Sequence, residues 1–207
     1  MSKYRVAYID ESEPDIRKFQ RFASNHFDII PFKPQKDIEI SAKEILDSHV
    51  DAVVADFELS EQDVTIHYNG ADLLGLILQE RESFPVFILT SYEEDAVSKG
   101  DDVNIVYEKG EMSQGEKFLE RVKSQIEKYY HRLDEAERRL LELIDESRKR
   151  QLDAFEEDEI FRLDALIEKA LDKKSQIPDK IREKKETGNL TELLTKVDEL
   201  AKKLGKK

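Results

Sequence analysis

The sequence predicts an α/β domain on a five-stranded parallel sheet, followed by an all-α tail with coiled-coil periodicity. In residues 3–112, short runs rich in Val, Ile, Phe and Tyr alternate with segments of helical spacing. Strands that alternate with helices form a parallel sheet covered on both faces. After Ser113 there is one Gly at 115, then no Gly or Pro until Pro178, while apolar residues recur at steps of three and four. Charge divides at the same place. Residues 113–207 hold 23 Lys and Arg against 23 Asp and Glu, so the whole net charge of −13 falls in residues 1–112.

The strands read as "YRVAYI" (4–9), "FDIIPF" (27–32), "DAVVADF" (51–57), "PVFILT" (85–90) and "VNIVYE" (103–108), each bounded by turn residues. Helical spacing is found around 13–25, 41–48, 70–81 and 93–99; in "GADLLGLILQ", Leu73, Leu74, Ile77 and Leu78 share one face. "SQGE" (113–116) is a capping box that opens a long helix. Leu119, Val122, Ile126, Tyr129, Leu133, Ala136, Leu140 and Leu143 then form a coiled-coil seam, which dissolves in "DESRKRQ" (145–151). If helical to Arg150, the segment from 113 would be ~57 Å long at 1.5 Å per residue. Asp153 with Glu156 caps a fresh helix carrying Ile160, Leu163, Ile167 and Ala170. Pro178 suits a first helical position, Gly188 a stop, and Asn189 with Glu192 another cap. A last helix presents Leu190, Leu193, Leu194, Val197, Leu200 and Leu204. The expected domains are 1–130 and 131–207.

Composition removes several function classes. There is no Cys, so disulfides, thiolate zinc sites and thiol catalysis are excluded. No apolar run approaches the roughly 18 residues of a membrane span. "MSKYRVAYIDES" enters a strand at once and lacks a signal-peptide core, so the expected location is the cytoplasm. The acidic first half repels nucleic acid and anionic membrane, and suits a cation.

In a parallel sheet, ligands sit outside the carboxyl ends of the strands. The first predicted strand ends in Asp10-Glu11, the third in Asp56 and the fourth in Thr90-Ser91; Lys109 follows the fifth. By itself, Asp56 reads as a solvated strand end. With its partners it reads differently. Three carboxylates at one rim repel unless a cation binds, and hard oxygen ligands suit Mg²⁺. A neutralised Asp56 can attack phosphorus as a nucleophile. The Thr90 hydroxyl and the Lys109 ammonium can then serve the charged equatorial oxygens.

At this point residues 3–130 resemble the receiver domain of two-component response regulators, a flavodoxin-like (βα)5 fold. The resemblance rests on "YIDES", "VVADFEL", "NGADLLGLI", "PVFILTS" and "VYEKG", five stretches in the family's order. It implies that Asp56 is the phosphoacceptor. It also implies that Asp10, Glu11, Asp56 and the backbone carbonyl of Glu58 hold Mg²⁺, and that Thr90 and Lys109 contact the phosphoryl group. The chain departs from the family at three places. Gly110 follows the lysine where proline is usual, and glycine does not preset that geometry. Val106 stands at the switch-aromatic position, with Tyr107 one step later and so on the other strand face. The stretch from Asp56 to Gly70 is long, with "SEQDVTIHYN" inside it.

The resemblance implies a phosphoprotein, not an enzyme: it accepts phosphate from a histidine kinase or phosphotransfer protein and loses it slowly. Output is expected through protein contacts of the helical tail, with a parallel homodimer through residues 119–143; folding back of the last helices would also cover that stripe. Two other readings remain: a phosphoryl sink or relay, and a receiver-fold scaffold without phosphorylation. His26, His49, His67 and His131 show no ligand spacing, and "RKR" (148–150) reads as a solvated helix face.

Overall fold

The computed structural model describes residues 3–61, 63–90, 106–108 and 116–171, with backbone alone at 106–108 and 171. The chain divides into two compact units, Met1–Asp134 and Glu135–Lys207. The first holds β1 (Arg5–Ile9), α1 (Glu13–Ala23), β2 (Asp28–Phe32), α2 (Ile38–Asp47), β3 (Ala52–Asp56), α3 (Gly70–Glu80), β4 (Val86–Thr90) and a three-residue β5 (Val106–Glu108). A long helix follows, α4 (Glu116–Ser147), and then α5 (Ala154–Leu171). The helical segment expected at 93–99, the "SQGE" cap and everything from Pro178 onward lie outside the described residues.

Each early helix begins where a side chain satisfies a free backbone N–H. Ser12 accepts from Asp15 N ahead of α1, and Asp37 accepts from Glu39 N ahead of α2. The Asp37 cap sets the start of α2 at Ile38, three residues before the expected start. Four five-residue strands and the short β5 form one parallel sheet in the order β2-β1-β3-β4-β5.

Strand alternation sorts the core. Val6, Tyr8, Ala52, Val54, Phe87 and Leu89 join Ile16, Phe19 and Ala23 of α1 and Phe118, Leu119, Val122 and Ile126 of α4 in one cluster. The alternate residues Ala7, Ile9, Val53, Ala55, Val86 and Ile88 are also buried. On their side α3 packs on β3 and β4, and α2 packs on α3. The sheet is thus covered on both faces.

A polar tie holds α4 at the amino end of the sheet. The Tyr130 hydroxyl donates to Asp51 Oδ1 at 2.6 Å, and Arg5 N donates to Asp51 Oδ2 at 2.7 Å. Burial, then the bond to the Asp51 carboxylate, pushes the Tyr130 phenol above its ordinary range. Tyr129 meets Phe84 edge-on, with ring centroids 5.7 Å apart.

In the second unit, Ala136, Leu140, Leu143 and Ile144 of α4 pack against Leu152 and against Ile160 and Ile167 of α5. Asp153 and Glu156 form the expected reciprocal cap: Glu156 N donates to Asp153 Oδ1 at 2.9 Å, and Asp153 N donates to Glu156 Oε2 at 3.0 Å. α4 ends at Ser147, short of Arg150, because Arg150 turns to pair with Glu146 and Glu156. All eight seam residues from Leu119 to Leu143 are buried. The stripe on which the expected homodimer through 119–143 rests is covered within the chain.

Ile160 is fully buried. Ile160→Ala is expected to cost the second unit about 2–5 kcal/mol through the cavity it leaves, read as faster amide exchange along α5. Tyr130→Phe should cost about 1–2 kcal/mol at neutral pH. The Tyr130 pKa is raised on folding, so its contribution is complete below the unfolded value of about 10 and fades as pH rises through the higher folded value. A chemical-denaturation series should therefore find a shallower alkaline loss of stability in Tyr130→Phe than in wild type.

Candidate functional site

The strand order places a crevice between β1 and β3, where the chain leaves the sheet in opposite directions. Ile9 is paired with Ala55, so Asp10 and Asp56 both stand at the carboxyl ends of neighbouring strands. Asp56 is paired with Leu89, and Phe57 N donates to Leu89 O at 2.9 Å. Thr90, the last residue of β4 and 3% exposed, therefore stands at the next strand end.

Asp10, Glu11 and Asp56 each turn a carboxylate oxygen to within 4.8 Å of the others. Asp10 is fully buried, Asp56 is 5% exposed, and Glu11 Oε2 is shielded from solvent. Three anionic groups this close in a poorly hydrated place repel strongly. The donor set is all oxygen, which fits a hard divalent cation such as Mg²⁺.

Asp10 is held at both oxygens: Tyr8 Oη donates to Oδ2 at 2.7 Å and Ser12 N donates to Oδ1 at 2.8 Å. Tyr8 lies in β1 two residues before Asp10, which directly follows the strand, so both side chains point to one side. Its phenol is pushed far above the ordinary range, first by burial, then by the Asp10 charge and hydrogen bond, and further by Asp56.

The connection after β3 is closed at its neck. Gly70 N donates to Phe57 O at 2.8 Å, and a Cβ on Gly70 would lie 2.0 Å from the Asp56 carbonyl oxygen. Only glycine admits this approach of α3 to β3. Asn69 and Asp72 cap α3 reciprocally. Within the loop, Leu59 and Ile66 are buried and Val64 is 84% exposed. Tyr68 fastens the loop to the segment before α2. Its hydroxyl donates to Gln35 O at 2.6 Å and meets Ser41 Oγ at 2.8 Å, and Ser41 Oγ accepts from Gln35 N at 2.8 Å.

Of the expected site residues, the fold brings Asp10, Glu11 and Asp56 together and sets Thr90 at the adjacent strand end. Glu58 is exposed two residues past Asp56. Lys109 and Gly110 lie outside the described residues, and Val106 and Tyr107 are described as β5 backbone only. Three residues escaped the sequence reading. Tyr8 was detectable as a polar-tipped aromatic in a buried strand, two before the acid. Gly70 was detectable only as the glycine opening a helix. Tyr68 carried no signal, since its partners lie 27 and 33 residues away.

No family model matches this sequence, and no curated protein does. Solved structures do match by shape. The signal receiver domain of an HD domain-containing protein from Pseudomonas fluorescens Pf-5 superposes with a TM-score of 0.52 at 15% identity, over 64% of this chain and 95% of that one. The first unit has the receiver fold. A response regulator receiver protein from Sinorhizobium medicae WSM419 aligns at 15% identity with a TM-score of 0.48, over 60% of this chain and 95% of its own. The BeF3-activated DrrB receiver domain aligns at 20% identity and 0.45, over 60% and 98%. Beyond the receiver sheet the described residues form two helices, α4 and α5. Among the described residues, no helix is long and apolar enough to cross a membrane.

The glycine behind Asp56 gives a paired prediction. Gly70→Ala should destabilise the first unit by about 1–3 kcal/mol, because backbone must move to admit the methyl group. Gly75→Ala, with nothing within 4 Å of the added Cβ, should stabilise α3 by about 0.5–1 kcal/mol. Urea unfolding of both variants checks the opposite signs.

Proposed function

We propose that the protein is a phosphorylation-controlled signalling switch of the response-regulator type. In this reading residues 1–130 are the receiver, and 131–207 are the output region. The observation that carries it is the convergence of the Asp10, Glu11 and Asp56 carboxylates within 4.8 Å at the β1/β3 crevice. Asp10, Glu11, Asp56 and the Glu58 carbonyl would hold Mg²⁺, whose charge screens the carboxylates and neutralises a phosphoryl oxygen. A side-chain oxygen of Asp56 attacks the phosphorus of a phosphohistidine on a kinase or phosphotransfer protein. The new P–O bond forms as the P–N bond breaks, and the electron pair leaves with the imidazole. Thr90 donates its hydroxyl to one equatorial oxygen, and Lys109 its ammonium to another. The chain is the acceptor of this transfer rather than an enzyme acting on a separate substrate, and it works in the cytoplasm.

Output passes to a downstream protein through the helices. α4 supports this reading, since it supplies residues to the receiver core and to the packing against α5. Because its stripe is covered, homodimerisation through 119–143 would require those side chains to leave their present neighbours. The same covered stripe favours a second reading, a phosphoryl sink or relay whose helices only dock.

Intact mass after incubation with Mg²⁺ and acetyl phosphate tests the chemistry. Wild type should gain a phosphoryl adduct, while Asp56→Asn and a chelated sample should not. A folded wild type that gains none sinks the reading and leaves a receiver-fold scaffold. Amide exchange with and without the phosphodonor then separates the first two readings: a change across 135–171 supports a switch, and none supports a sink.

A further inference from the structure

We infer that Tyr8 is a positioning residue for the divalent cation, acting through Asp10. The inference rests on the reading of Asp10, Glu11 and Asp56 as a Mg²⁺ site. Tyr8 is fully buried in β1, with its ring stacked on Phe19 at 4.0 Å and 9°. Phe19 in turn meets Phe118 of α4 edge-on at 6.5 Å. The stack on Phe19 orients the buried ring, and the hydroxyl reaches Asp10 Oδ2 at 2.7 Å. The Ser12 amide holds Oδ1 at 2.8 Å.

The two donors fix both the plane and the rotation of the Asp10 carboxylate. An ionised carboxylate oxygen accepts more than one partner. Each Asp10 oxygen can therefore take its donor and still present a lone pair to the cation or to a water on it. Groups that orient a metal ligand in this way are typically worth about 10–100-fold in metal affinity. The Ser12 donor is backbone and belongs to any sequence that turns there. The Tyr8 donor is a side-chain choice, since an aliphatic residue would fill this strand position equally well. A hydroxyl placed there adds little to packing, and among the described residues it bonds to Asp10.

Tyr8→Phe keeps the ring, its stack and its volume, and removes only the donor. Mg²⁺ titration by calorimetry on the full chain, with circular dichroism confirming the fold, should show affinity weakened at least tenfold. Tyr130→Phe, which removes a hydroxyl bonded to Asp51 at the far end of the sheet, should bind Mg²⁺ as wild type does. Unchanged affinity in Tyr8→Phe, even with a lower melting temperature, overturns the inference and leaves the hydroxyl a purely structural group. Tighter binding also overturns it, because the hydroxyl would then compete with the cation. If wild type itself binds no Mg²⁺, the metal reading of the cluster fails and takes this inference with it.

Discussion

Three carboxylates gathered within 4.8 Å at the mouth of a closely packed sheet set the terms for the rest of the first unit. Like charges at that spacing do not stay together unaided, and two of the three groups are almost wholly removed from water. The surroundings therefore have to supply the restraint. Ser12 N and Tyr8 Oη clamp Asp10, and the Tyr8 ring is clamped by Phe19. Behind Asp56, the missing side chain of Gly70 lets α3 approach the Asp56 carbonyl. Among the described residues, Tyr8, Ser12 and Gly70 hold the two buried acids in place.

The same economy appears in α4, whose single apolar stripe serves two cores. Its first turns complete the receiver by covering β1, β3 and β4, and its later turns pack against α5. Tyr130 adds a directional bond to Asp51 at the far end of the sheet from the acid cluster. A heptad pattern states that a helix face is buried and leaves its partner open. Here the partners are the sheet in the first unit and α5 in the second.

How much was legible in advance follows from the range of each interaction. Strand alternation, the Asp153–Glu156 cap and the terminal positions of Asp10, Asp56 and Thr90 depend on neighbours a few residues away, and the sequence shows them directly. The order of acids, hydroxyl and lysine makes the fold readable even though the sequence matches no family model. α2 starts three residues before apolar spacing alone would place it, because the Asp37 cap sets the boundary. The Tyr68 anchor and the Tyr130 tie join residues up to 79 apart, and no local pattern announces them.

The sequence by itself determined the alternation of strands and helices, the acidic first half, and the identity of the residues delivered to the strand ends. These follow from periodicity and composition, which are properties of the chain. It took the folded chain to show that Tyr130 hydrogen-bonds Asp51, that Gly70 lies against the Asp56 carbonyl, and that the stripe of α4 is covered from within. Those facts depend on distances between segments remote along the chain, and such distances exist only once the sheet has brought the segments together.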